Sequence, residues 1–187
     1  VQRQRDSGRF TLAERVIFDS AGGTFTVFDT TNTRTGQLCY SVLTQDSCLN
    51  TVSSDTFCAI QLEGQPKNQA NRLTWEAFKG YPLDTQLLLR KAGSAYDTLA
   101  RLGGKDSSFV DTPLPCNRAQ TYKLKAFEQG GSRTTLSDTI RLTPFDTIAP
   151  AAPAIRSFSI LGPDSARLRW QLSDTNVTRY ELWLKTT

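Results

Sequence analysis

Arg72-Leu73-Thr74-Trp75 recurs in this chain as Arg167-Leu168-Arg169-Trp170. Asp111-Thr112, with Tyr122 eleven positions after the Asp, recurs as Asp29-Thr30 with Tyr40 at the same distance. Beyond each Tyr, small polar residues lead into Ser137-Asp138-Thr139-Ile140 or Ser54-Asp55-Thr56-Phe57. Leu87 and Leu182 each stand twelve positions after a Trp, inside a second apolar run. Two segment types repeated in a fixed order are the mark of a tandem array. Where both occur, the Trp segment comes first. The first unit has only the Tyr half and the last only the Trp half. The chain is therefore expected to hold the C-terminal part of one unit at 1–63, a complete unit at 64–147 and the N-terminal part of a third at 148–187.

Short alternating runs surround these motifs, at Thr24–Phe28, Leu38–Leu43, Arg72–Trp75, Leu87–Arg90, Tyr122–Phe127, Thr139–Leu142, Arg167–Leu172 and Tyr180–Leu184. They are β-branched or aromatic and bounded by Gly, Pro, Asn, Asp or Ser, which predicts strands. Helical periodicity is nearly absent. The reading is an all-β chain of antiparallel strands forming sandwiches. Cys58–Gly64 offers no flexible spacer between the first two units, and Pro144–Pro153 is Pro-rich and stiff. Both junctions favour an extended rod.

The 187 residues carry 22 Lys+Arg against 18 Asp+Glu, a net charge of +4, and no His. Without His, a Ser-His-Asp triad, a Cys-His dyad and an imidazole metal site are excluded. Neither a phosphate-binding loop nor a calcium-loop pattern occurs. Glu76, Glu128 and Glu181 are isolated, whereas glycoside hydrolysis needs two carboxylates at a set separation. A non-catalytic chain with no cofactor and no metal is expected. Its basic residues do not cluster beyond Arg3, Arg5, Arg9 and Arg15, so no nucleic-acid partner is expected. No apolar run approaches the ~18 residues of a membrane-spanning helix, so no membrane insertion by this segment is expected. The absence of Met reads as a processed, trimmed or partial chain.

The four cysteines, Cys39, Cys48, Cys58 and Cys116, include no CxxC pair, which removes zinc-ribbon and thioredoxin chemistry. Disulfides in an oxidising compartment are one reading, and buried free thiols in a reducing one are the other.

In their order and spacing these residues resemble fibronectin type III domains over essentially the whole chain. The resemblance implies tandem sandwiches with Trp75 and Trp170 as core residues of strand B. It implies Tyr40 and Tyr122 as strand-F tyrosine corners whose hydroxyls return to the backbone of the preceding loop. A narrower resemblance lies in Cys39-Tyr40-Ser-Val, Gln45-Asp-Ser-Cys-Leu-Asn50, Cys58-Ala-Ile-Gln-Leu62 and Leu73-Thr-Trp75. These look like the repeats of large Bacteroidota surface proteins, which are associated with gliding motility and leave by type IX secretion. Leu49 stands where that pattern usually has Gly, and the sorting domain of those proteins is not seen in this sequence.

In the sandwich so implied, strand F climbs from the C-terminal to the N-terminal pole and strand G returns beside it. Cys39, early in F, and Cys58, late in G, are then expected to pair. Cys48 falls in the F–G loop and Cys116 in the E–F loop, at poles too far apart to bond each other. Each is expected to bridge to a neighbouring repeat outside this sequence. Arg34 occupies the position in the first unit that aligns with Cys116.

Ser20, Thr30, Thr98, Thr139, Thr147 and Ser165 each follow an Asp and precede a small or aliphatic residue. The motif resembles the O-glycosylation acceptor of the Bacteroidota periplasmic system. Ordinary turn chemistry is the alternative. Asn176-Val177-Thr178 is an N-glycosylation sequon, relevant only in a eukaryotic secretory host. Trp183 falls out of phase with Tyr180, Leu182 and Leu184, so it either presents a surface contact for a sugar or partner or covers its own sheet.

The functional expectation is a structural and interaction segment of a secreted or cell-surface multi-repeat protein, an adhesin-like stalk exported by type IX secretion. Its partners would be an unidentified protein or glycan and the neighbouring repeats of the same chain. The alternative is a spacer in a secreted carbohydrate-active enzyme whose catalytic domain lies elsewhere. A receptor ectodomain is a third reading.

Overall fold

A computed structural model of the chain describes residues 1–5, 10–12, 23–30, 36–173 and 177–185. Every regular element among them is a β-strand, and no helix there is long and apolar enough to cross a membrane. The chain divides into two compact units, Val1–Asp146 and Thr147–Thr187.

The first unit begins with β1 (Gln2–Arg5), β2 (Thr11–Leu12), β3 (Leu38–Ser41) and β6 (Phe57–Cys58), which form one sheet in the order β2-β1-β3-β6. Between β3 and β6, β4 (Leu43–Gln45) and β5 (Thr51–Ser53) make a separate hairpin. Its turn is tied by Asp46, whose Oδ1 accepts from the backbone N–H groups of Cys48 and Asn50 at 2.8 Å. The Asn50 side-chain amide, donating to Oδ2 at 2.9 Å, leads these bonds to the ionised form in holding the Asp46 carboxyl below its ordinary range. Leu49 completes the turn with φ of 67°, a conformation that suits Gly and strains a residue carrying Cβ.

The complete sandwich follows. One sheet is β7 (Leu62–Lys67), β8 (Ala70–Trp75) and β11 (Ser108–Asp111), in the order β11-β8-β7. The facing sheet is β9 (Leu83–Ala92), β10 (Ala95–Gly103), β12 (Gln120–Glu128), β13 (Thr134–Leu136) and β14 (Ile140–Leu142). There β12 lies beside β9 and pairs with both β13 and β14. β8, β11 and β12 thus stand as strands B, E and F, with β13 and β14 sharing G. The β9–β10 hairpin closes on Gly93-Ser94, with Gly93 at φ of 62°, as a two-residue turn with a left-handed first position requires.

Alternation makes the core. Along β12, Tyr122, Leu124 and Ala126 point inward and are fully buried, against Leu73 and Leu88. Each buried Leu contributes about 1.5–3 kcal/mol over the exposed state. Trp75 is 6% exposed. Its indole N–H donates to Gln86 Oε1 at 2.9 Å, and the buried Gln86 amide donates to the carbonyls of Gly103 and Asp106, each at 2.8 Å. A polar side chain is thereby tolerated inside, because its bonds are made. Gly64 suits a close approach: a Cβ there would meet Leu142 Cδ1 at 2.6 Å and the Arg72 carbonyl at 3.1 Å, so the Leu142 side chain would have to shift.

The second unit holds one hairpin, β15 (Ala154–Gly162) and β16 (Ser165–Gln171). Two of the expected strands are absent. Thr24–Phe28 and Tyr180–Leu184 belong to no strand. Their alternation is suited to a strand, but a strand exists only where a neighbour supplies the ladder. Trp170 is also not a core residue here. It is 41% exposed, with its ring 5.7 Å from that of Tyr180.

Candidate functional site

Two copies of one charge network, buried in the complete sandwich and half-buried in the first repeat, sit where the Asp–Tyr repeats predicted tyrosine corners. In the complete sandwich the Tyr122 hydroxyl donates to Asp111 Oδ2 at 2.8 Å and accepts from Asn71 Nδ2 at 2.9 Å. Arg90, directly across the ladder from Tyr122, donates to both Asp111 oxygens at 3.1 and 2.9 Å. In the first repeat Tyr40 donates to Asp29 Oδ2 at 3.0 Å. Arg3, directly across from Tyr40, donates to both Asp29 oxygens at 3.1 and 2.8 Å. The expected return of the Tyr hydroxyl to loop backbone is therefore corrected: the acceptor in both copies is the repeated Asp carboxylate. A charged acceptor makes the stronger bond. Burial, together with the bond to Asp111, pushes the Tyr122 hydroxyl well above the ordinary phenol range. Tyr40 is raised less completely, again by burial first and then by its bond to Asp29.

The Ser-Asp motif after each Tyr is a matched break in strand G. Ser137 Oγ accepts from Leu124 N at 2.8 Å and donates to the Asp138 carbonyl at 2.7 Å. Ser54 Oγ accepts from Val42 N at 2.9 Å and donates to the Asp55 carbonyl at 2.8 Å.

Cys39 and Cys58 face each other across β3 and β6 and are joined by a disulfide. Cys48 and Cys116 are free thiols, the first exposed and the second half-buried. Beside the disulfide, an open cleft of about 510 Å³ is lined by Gln4, Gln37, Thr56, Gln61, Glu76 and Lys79. Glu76 is the one carboxylate in that lining.

The junction between the first repeat and the complete sandwich lies next to this cleft. Cys58 N donates to the Lys79 carbonyl at 2.8 Å, and Leu62 N donates to Asp138 Oδ1 at 3.1 Å. The Tyr81 ring lies 5.9 Å from Phe57 and 4.8 Å from Phe78. The Arg133 guanidinium stands 4.6 Å from the Tyr81 ring and 5.8 Å from Phe57, and it is paired with Glu128. That pairing holds the Glu128 carboxyl below its ordinary range.

Thr30, Thr98, Thr139, Thr147 and Ser165 are exposed. Ser20, Arg34 and Asn176 lie outside the described residues. Trp183 is 84% exposed and belongs to no strand. Glu181 pairs with Arg179 at 2.8 Å. No group of three or more potential metal ligands occurs among the described residues. Sequence reasoning missed Arg3, Arg90 and Gln86; the first two were detectable only through strand register, and the third as a polar residue in an apolar run.

No family model matches the chain. Among curated proteins it is similar to Exoglucanase B of Cellulomonas fimi, 36% identical over 74 residues. That match covers 37% of this chain and 7% of the exoglucanase. Among solved structures it is similar to pectate lyase Pel3 from Pectobacterium carotovorum, with a TM-score of 0.41 and 18% identity. There the likeness covers 50% of this chain and 28% of the lyase. The fn3 domain of human collagen alpha-1(XX) gives a TM-score of 0.41 at 18% identity. It covers 57% of this chain and 89% of that domain. The fold is all-β, with antiparallel sheets packed face to face around one core in the complete sandwich.

Proposed function

We propose that this chain is a non-catalytic structural segment of a secreted multi-repeat protein, with repeats divided near residues 63 and 147. The observation that carries the reading is the spacer-free junction. Two repeats bearing the same Tyr–Asp–Arg network meet through the Cys58–Lys79 bond and the Phe57–Tyr81–Arg133 stack. Such a joint transmits orientation from one repeat to the next, as a spacer must. The core between the sheets is filled by Leu73, Leu88, Tyr122 and Leu124, which favours scaffolding over the enclosure of a substrate.

The exoglucanase likeness favours a spacer within a secreted carbohydrate-active enzyme, the catalytic domain lying elsewhere. The Cys39–Leu62 pattern favours the other version, an adhesin-like stalk on a bacterial surface exported by type IX secretion. In that version Cys48 and Cys116 bridge to neighbouring repeats, and the exposed Asp-Ser and Asp-Thr motifs carry glycans.

The test is to sequence the gene on both sides of this segment and to map disulfides and glycans by non-reducing mass spectrometry on native material. A catalytic domain with paired carboxylates supports the enzyme spacer. Further repeats with a sorting domain support the stalk. Reduced Cys39 and Cys58 with bare peptides throughout would overturn secretion.

A further inference from the structure

We propose that the outer face of the sheet formed by β9, β10, β12, β13 and β14 binds an extended acidic polysaccharide through its carboxylates. Strand register gathers on that face cations that are scattered along the sequence. Gln86, Leu88, Tyr122, Leu124 and Ala126 point into the core, so Leu87, Leu89, Lys123 and Lys125 alternate to the other side. Lys125 stands between Leu87 and Leu136 across the ladder, and Leu87 is in turn opposite Arg101. Lys123 is opposite Leu89, Lys91 is opposite Tyr96, and Arg141 is opposite Thr121. Asp84, Asp97 and Glu128 alternate toward the inner side, so five cations share this face with no carboxylate among them. The ion pairs of the described residues all lie elsewhere. Like charges held this close repel one another, and a bound polyanion relieves that repulsion.

The fold does not require these cations. The first repeat has the same register, because its Arg3–Tyr40 and Tyr40–Phe57 pairs and its Ser54–Val42 bond match Arg90–Tyr122, Tyr122–Ile140 and Ser137–Leu124. Lys91, Lys123, Lys125 and Arg141 therefore stand where the first repeat has Gln4, Ser41, Leu43 and Cys58. The residues that hold the sandwich together recur, and the cations do not.

Geometry selects the kind of anion. The Lys123 ammonium lies 4.9 Å from the centre of the Tyr96 ring, and the Lys125 ammonium 5.1 Å from that of Phe127. Each ring holds its lysine in place. A ring so covered is not free to stack a nucleobase, as single-stranded nucleic acid requires. The face is a sheet with no helix standing out from it to enter a duplex groove. Leu87 and Leu89 are half-buried, which leaves Leu136, at 52% exposed, as a lone apolar side chain to offer a membrane. Three of the five cations are lysines, point charges that suit separate carboxylates better than the forked grip Arg makes on phosphate. Alternate residues of a strand stand about 7 Å apart and neighbouring strands about 5 Å apart. A chain with a carboxylate on each sugar meets these lysines in succession.

The experiment is calorimetric titration of the full 187-residue chain with polygalacturonate. The expected result is binding that weakens as salt is added and that vanishes with the methyl-esterified polymer, which has the same backbone without the charge. Lys123→Gln with Lys125→Gln should weaken binding about tenfold. Lys67→Gln with Lys105→Gln removes the same net charge from outside the face and should change binding by less than about twofold. Lys123→Arg with Lys125→Arg keeps the charge and should keep the binding, with an unaltered circular dichroism spectrum in all three pairs. No binding to polygalacturonate overturns the proposal. So does equal binding of the methyl ester, equal weakening by the two Gln pairs, or loss of binding in the Arg pair. Tighter binding of oligothymidylate or of phosphatidylglycerol vesicles overturns it too, because the partner is then a nucleic acid or a membrane. Each of those results leaves the structural-segment reading standing, since that reading rests on the junction between repeats.

Discussion

Asp111→Ala tests whether the Tyr–Asp–Arg network supports the sandwich. The carboxylate is 6% exposed, and it accepts one bond from Tyr122 and two from Arg90. Its loss leaves the Tyr122 hydroxyl without an acceptor inside a closed core, a cost of about 1–3 kcal/mol, and removes a charge-assisted bond of about 1.5–3 kcal/mol. These overlap, because both describe the same hydroxyl. Arg90, whose side chain is 37% exposed, turns to water and adds under about 1 kcal/mol. The expected loss is about 3 kcal/mol. Tyr122→Phe keeps the Arg90–Asp111 pair and orphans only the Asn71 amide, for about 2 kcal/mol. Asp29→Ala acts on a half-buried Tyr40, for about 1 kcal/mol. With a urea dependence of about 2 kcal/mol per M, the midpoints fall by about 1.5, 1 and 0.5 M. Urea unfolding followed by fluorescence in a Trp170→Phe, Trp183→Phe background makes Trp75 the only indole reporter. An Asp111→Ala midpoint within about 0.3 M of the parent refutes the reasoning, as does Asp29→Ala being the costlier change.

The network also sets an alkaline limit. Tyr122 is raised above its unfolded value of about 10, so its contribution is fully present below that pH and is lost as pH rises toward the folded value. The urea midpoint should start to fall as pH rises past about 10, and fall less in Tyr122→Phe. Leu49→Gly should stabilise the β4–β5 turn by about 1 kcal/mol, seen as a higher melting temperature, because it relieves a left-handed Leu. Gln86→Leu should cost about 2 kcal/mol, read as a lower urea midpoint, since it strips the partner from the buried Trp75 indole, while the Gly103 and Asp106 carbonyls turn to water. Reducing Cys39–Cys58, which spans 19 residues, should cost the first repeat about 3 kcal/mol, read as faster proteolysis of residues 1–58 under reductant.

The Asp–Tyr spacing and the Trp segments were legible because both members of each pair lie on one short stretch of chain. Arg3 and Arg90 were not. Arg3 precedes Tyr40 by 40 − 3 = 37 positions, and Arg90 precedes Tyr122 by 122 − 90 = 32. What the two pairs share is a cross-strand register, which the intervening hairpins and loops can satisfy at different lengths. The acceptor for the Tyr hydroxyl was readable in principle, since the Asp recurs with the Tyr, but a repeated residue announces a role without naming its bond. Thr24–Phe28 and Tyr180–Leu184 misled for the opposite reason. Their alternation records which face a strand would bury, and says nothing of whether a neighbour is there to bind it.

The Ser in strand G has a consequence for how an array of such repeats survives synthesis. Neighbouring repeats with like sequences emerge together at high local concentration, where an edge strand of one can pair wrongly with that of the next. At Ser54 and Ser137 a hydroxyl takes a place that a backbone carbonyl would otherwise fill, and the strand is interrupted between β5 and β6 and between β13 and β14. An incoming strand therefore finds a broken template on that edge. The same side chain that completes each native sheet makes its border a poor seed for tangling between siblings.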